Sequence, residues 1–132
     1  MANERVVVAA TSHPLARRRP SMDLLAQQAW VLPPPGSLAV VMLGEWFSKA
    51  GVAPPLVQVT SDSFLTNLRL AASGELLTVA PETAVRSHAA ALKLRVIASP
   101  RPHKPGELVF AYRAASLVNP QIATLRACFV SL

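Results

Sequence analysis

An α/β fold, a largely parallel sheet with helices on both faces, is predicted by three features of this chain. Short apolar, often β-branched runs alternate with amphipathic stretches. Pro, Gly or Ser marks each junction. The 132 residues are 52% hydrophobic and only 15% charged. Such alternation is the signature of βαβ units, and the composition is too apolar for a chain unable to bury enough surface to offset its ordering entropy. Domains cluster near ~100–150 residues, so there is room for one core and not two.

The elements follow in order. Residues 5–10 (Arg-Val-Val-Val-Ala-Ala) read as a short buried strand. His13-Pro14 and Arg19-Pro20 break the chain, and Ser21 stands as an N-cap before a short helix over 22–28. Residues 30–32 form a second strand, stopped by Pro33-Pro34-Pro35-Gly36. Ser37 caps a helix over 38–50, with Val40, Leu43, Phe47 and Ala50 on its buried side. The cycle repeats with a strand over 56–60, then a helix over 63–73 capped by Ser61 or Asp62. Phe64, Leu65, Leu68 and Ala72 are its predicted buried side, and Gly74 its stop. A strand over 76–80 leads through Pro81, suited to a first helical turn, into a helix over 82–91 and a strand over 94–98. Residues 99–106 hold three prolines and read as a connector. A strand over 108–112 and a last helix follow, with Asn119 as cap, Pro120 in first position, and Ile122, Leu125 and Phe129 on one face.

Charge and chemistry narrow the function. The net charge of +6 would permit attraction to polyanions. Only Arg17-Arg18-Arg19 forms a cluster, however, and no aromatic residues interleave with the basic ones, so it reads as a solvated loop face, with an anion or phosphate contact as the alternative. No run reaches the ~18 apolar residues of a membrane span, and the first residues do not have the form of a secretory signal, so a cytoplasmic location is expected. A single cysteine, Cys128, excludes an internal disulfide and is expected to be a small buried hydrophobe in the last helix. His13 is expected to be a hydrogen-bonded loop residue. His88 and His103 lack a second ligand at helical spacing, so neither metal nor cofactor is expected. No Ser–His–Asp order, carboxylate pair or Gly-rich phosphate loop appears, so an enzyme is not expected.

In sheets of this kind the ligand crevice lies beyond the carboxyl ends of the strands, where the following helices present unpaired N–H groups. Three such junctions occur in succession, at 32–37, 60–63 and 78–82. Their small and hydroxyl residues leave backbone N–H groups open to an anion or carboxylate.

Taken in order, VVVAATSHPLARRRPSMDLLAQQAWVLPPPGS, GVAPPLVQVTSDSFLTNLRLAASGELLTVAPETAV and LVNPQIATLRACFV resemble the effector-binding regulatory region of LysR-type transcriptional regulators. The resemblance covers nearly the whole chain. It implies one lobe of a periplasmic-binding-protein-like type II fold, whose two lobes enclose an effector cleft. Residues 1–102 would be the second lobe, and 103–132 the strand and helix that return to the first. A small-molecule effector, with a carboxylate as the guess, would meet Gly36, Ser37, Ser61, Ser63, Phe64 and Thr78. DNA would be contacted by a helix-turn-helix outside this chain and not by the chain itself. A homo-oligomer is expected, with dimerisation through the apolar faces of residues 108–112 and of the last helix, which lack their first-lobe partners, by exchange of residues beyond the connector. One departure is the sequence SGELLTVAP, where many members place a second glycine at Leu76. That makes the turn less open to close backbone approach. A stand-alone solute-binding or scaffold protein and a small α/β enzyme are the rival readings.

Overall fold

The computed structural model describes residues 2–99, 106–107 and 111–130. In chain order these form β1 (Ala2–Asn3), β2 (Arg5–Ala10), α1 (Met22–Ala26), β3 (Ala29–Leu32), α2 (Leu38–Lys49), β4 (Val57–Thr60) and α3 (Phe64–Ala71). Then come β5 (Leu76–Pro81), α4 (Glu82–Leu92), β6 (Leu94–Val96), β7 (Gly106–Glu107), a 3-10 turn (Ala114–Val118) and α5 (Pro120–Val130).

Strands β2 to β6 make one sheet in the order β4-β3-β5-β2-β6. β3 pairs in parallel with β4 and β5, whereas β2 pairs antiparallel with both β5 and β6. Four strands therefore share one direction and β2 alone opposes them. The expected parallel character holds for direction. Because the reversed strand is interior, however, two of the four pairings are antiparallel. The helical crossovers α2, α3 and α4 fix the directions of β3 to β6, but nothing in the stretch from β2 to β3 fixes how β2 enters.

Strand alternation divides the core into two layers. Val7, Ala9, Trp30, Leu32, Leu77 and Val79 face Leu25 of α1 and Ala39, Leu43, Trp46 and Phe47 of α2. Val6, Val8 and Ala80 face Leu68 and Ala71 of α3 and Val85 of α4. Trp30 anchors the first layer: its Nε1–H donates to the Leu25 carbonyl at 3.0 Å, and its ring meets Phe47 edge-on with centroids 6.2 Å apart. Burial of Phe47 alone is worth about 1.5–3 kcal/mol.

Two helix faces differ from expectation. α2 buries Ala39, Leu43, Trp46 and Phe47, while Ala50 is its exposed C-cap. α3 buries Asn67, Leu68 and Ala71, leaving Phe64 and Leu65 exposed. The polar Asn67 turns inward, where its amide Nδ2 donates to the Ser61 carbonyl at 3.0 Å.

The C-terminal part is also corrected. Asn119 caps α5 as expected, its Oδ1 accepting from the Gln121 N–H at 2.9 Å. α5 packs mainly with the 3-10 turn and belongs to neither core layer, so Cys128 is exposed instead of buried. Of the strand expected over 108–112, residues 108–110 lie outside the described residues, and Ala111 and Tyr112 are not in a strand. Of the connector, 100–105 lie outside them too, and Gly106 pairs in β7 with Asn3.

Candidate functional site: the rim of helix starts

β3, β4 and β5 end on one rim of the sheet, because they share a direction, and α2, α3 and α4 begin there. Arg5 pairs with Pro81, so the chain also enters β2 at this rim; β6, parallel to β5, leaves by it. Two backbone bonds tie the rim together. The Ser61 N–H donates to the Leu32 carbonyl at 3.1 Å, and the Glu82 N–H donates to the Glu4 carbonyl at 2.8 Å.

The start of α2 is set by Gly36, exposed with φ +84, a conformation L side chains resist although nothing would obstruct a Cβ. The Ser37 N–H then donates to the Pro34 carbonyl at 3.1 Å, and the half-buried Ser37 Oγ accepts from the Val40 N–H at 3.4 Å. At α3 the cap is Ser63, not Ser61 or Asp62. Its Oγ accepts from the Thr66 N–H at 3.3 Å and from the Thr66 hydroxyl at 2.9 Å. Ser61 shapes the turn before it, its Oγ accepting from the Ser63 N–H at 3.2 Å, while Asn67 Nδ2 donates to the Ser61 carbonyl at 3.0 Å. Neither α2 nor α3 carries an acid in its first turn. Asp62, one residue ahead of the α3 cap, is exposed. The partial positive charge of each start is therefore uncompensated within the helix. The α4 start differs: it has Glu82, tied to Arg86 at 2.8 Å.

Gly36, Ser37, Ser61 and Ser63 thus stand on one rim, at the starts of α2 and α3. The other two expected residues are placed differently. Phe64 is 38% exposed and sets its ring edge-on to His88 of α4, with centroids 6.2 Å apart. Thr78 is 1% exposed, paired with Val8 three residues inside the end of β5, and its Oγ1 has no hydrogen-bond partner. It is a core residue beneath the rim.

Sequence reasoning missed three contributors. Asn67, 5% exposed, is one; a lone amide within an otherwise apolar helix face was its signal. Arg5 and Glu82 are the others. With Val6, Val7, Val96, Ile97, Ala98 and Ser99 they line a depression of about 200 Å³ between the entering β2 and the departing β6. None of the expected residues lines it, and only the reversed β2 brings its members together. Among the described residues, no group of three or more His, Cys, Asp or Glu could hold a metal ion. No described helix is long and apolar enough to cross a membrane.

The model of the LysR substrate binding domain family matches residues 1–131. Among solved structures, the fold is similar to the regulatory domain of MexT, a transcriptional activator in Pseudomonas aeruginosa (TM-score 0.74, 20% identity, 96% of this chain and 60% of that one). It is similar to the Synechocystis PCC6803 CcmR regulatory domain in complex with 2-PG (TM-score 0.74, 19% identity, 97% and 64%). It is also similar to the effector binding domain of QuiR in complex with shikimate (TM-score 0.67, 20% identity, 95% and 61%). The chain thus spans between 60% and 64% of the length of these three. No curated protein matches the sequence. Because that family model matches nearly the whole chain, residues 1–131, the chain belongs to the LysR substrate binding domain family.

Proposed function

We propose that this chain is one wall of a small-molecule sensor in a LysR-type transcriptional regulator, and that it binds its ligand without turning it over. Residues 1–102 act as the second lobe, and 103–132 as the segment that returns to a first lobe outside this chain. The effector carries a carboxylate or similar anion, held by the starts of α2 and α3. Closure of the lobes over it alters a homo-oligomer whose DNA contacts lie in another part of the regulator, in the cytoplasm.

The observation that carries this reading is the pair of serine-capped helix starts on one rim, with no acid in either first turn. The first N–H groups of a helix have no intrahelical partner, and together with the macrodipole they favour an anion. The complexes of CcmR with 2-PG and of QuiR with shikimate support a small effector for domains of this fold.

The test uses a full-length regulator carrying this chain and a panel of small organic acids that includes 2-PG and shikimate. Ser63→Ala and Ser63→Gly both remove the hydroxyl, but glycine keeps most of the capping stability, losing only a few tenths of a kcal/mol. Both variants should weaken the ligand-induced rise in melting temperature while leaving operator DNA affinity unchanged. Unchanged ligand response in both, or equal loss of ligand and DNA binding, would contradict the assignment.

A further inference from the structure

The triple arginine sits on a loop whose backbone is held in place from within. Arg17, Arg18 and Arg19 are exposed, but the loop that carries them is tightly built. The His13 N–H donates to the Ala10 carbonyl at 3.0 Å, the Ala16 N–H to the His13 carbonyl at 2.9 Å, and the Arg18 N–H to the Leu15 carbonyl at 3.1 Å. The Leu15 N–H donates to His13 Nδ1 at 3.1 Å. His13, Leu15 and Ala16 are buried, and buried Pro20 closes the loop.

This loop lies beside β6 and places its arginines around a depression of about 480 Å³, lined by Ala16, Arg17, Arg18, Arg19, Arg95 and Ala98 together with Val96. Four guanidinium-bearing residues therefore line one concavity, and no acid lines it among the described residues. The ion pair on α4, Arg86–Glu82, involves none of the four. No residue of α2 or α3 lines it, although it shares Val96 and Ala98 with the depression beside Arg5 and Glu82.

We propose that this depression is a second, anion-binding site for a small molecule bearing two or more linked phosphates. Guanidinium forks match phosphate oxygens in bidentate pairs, and several of them are satisfied together only by a multiply charged ligand. Geometry favours a small polyanion over nucleic acid. Consecutive Cα atoms are ~3.8 Å apart, so the three neighbouring arginines concentrate their charge locally instead of tracking a strand. A duplex binder draws its strength from on the order of 6–10 phosphate contacts along the backbone.

The test titrates tripolyphosphate and orthophosphate into the 132-residue chain by calorimetry, and titrates a short DNA duplex at the same salt. The altered chain is Arg18→Ala/Arg95→Ala. The control, Lys49→Ala/Arg69→Ala, changes net charge equally at exposed positions in the last turns of α2 and α3. Tripolyphosphate should bind at one equivalent and more tightly than orthophosphate. The arginine pair of substitutions should weaken it by about tenfold or more, the control by less than about twofold. Equal weakening in both variants would reduce the effect to net charge, and absence of saturable binding would remove the site. Tighter binding of the duplex, lost on the same arginine substitutions, would overturn the ligand class in favour of nucleic acid.

Discussion

His13 illustrates how a single side chain can be structural and still titrate. It is 5% exposed and holds Leu15 N–H on Nδ1, so the ring must be unprotonated there. Burial lowers its pKa below the ordinary 6.5. Its neutral form is therefore favoured in the folded state, and its stabilising contribution is complete above pH 6.5. As pH falls from there toward the depressed folded pKa, the unfolded chain takes up a proton that the folded chain refuses, and stability is lost. Melting temperature should fall between neutral pH and pH about 5, and the fall should be shallower in His13→Asn, whose carbonyl can replace the Nδ1 acceptor. An identical fall in both proteins would assign the pH dependence elsewhere. Thr78 offers the complementary case. Its fully buried hydroxyl has no partner, so Thr78→Val should raise the urea midpoint by the equivalent of about 1 kcal/mol. A lowered midpoint would mean that the hydroxyl is satisfied in solution.

Among elements, helix existence was more legible than helix orientation. Ser21, Ser37 and Asn119 cap the helices assigned to them, because a capping side chain is a local signal. The face that α3 buries was not legible. Phe64, Leu65 and Leu68 suggest an apolar side by periodicity, but the carbonyl of Ser61, which no sequence pattern reveals, draws Asn67 inward. The cap shifted from Ser61 or Asp62 to Ser63 for a similar reason, since three hydroxyl or carboxylate side chains in succession offer equivalent local chemistry. Burial of Cys128 failed as an expectation because it assumed that α5 lies on the sheet, which is a tertiary fact.

For the molecule as a whole, strand–helix alternation was enough to place three helix starts on one rim, and that is the part of the candidate site that reading alone reached. The depression lined by Arg5 and Glu82 was out of reach, because it depends on β2 running against its neighbours. Exposed apolar surface on α2 and around β4, faces other than residues 108–112 and the last helix, also favours self-association. Leu38 and Val41 on α2 are 66% and 47% exposed, while Leu56, just before the sheet-edge strand β4, and Val57, its first residue, are 72% and 39% exposed. Such surface tends to find a partner. Light scattering should give the mass of a dimer, and a monomer at the highest concentration reached would count against it.

The central claim, that the α2 and α3 starts form the effector-binding wall, is tested most directly by amide chemical-shift mapping of this chain during titration with small organic acids. The N–H signals of Leu38, Ala39, Phe64 and Leu65 should move together, with saturation, for at least one acid. Shifts confined to other parts of the chain, with those four amides unmoved by every acid that binds, would contradict it.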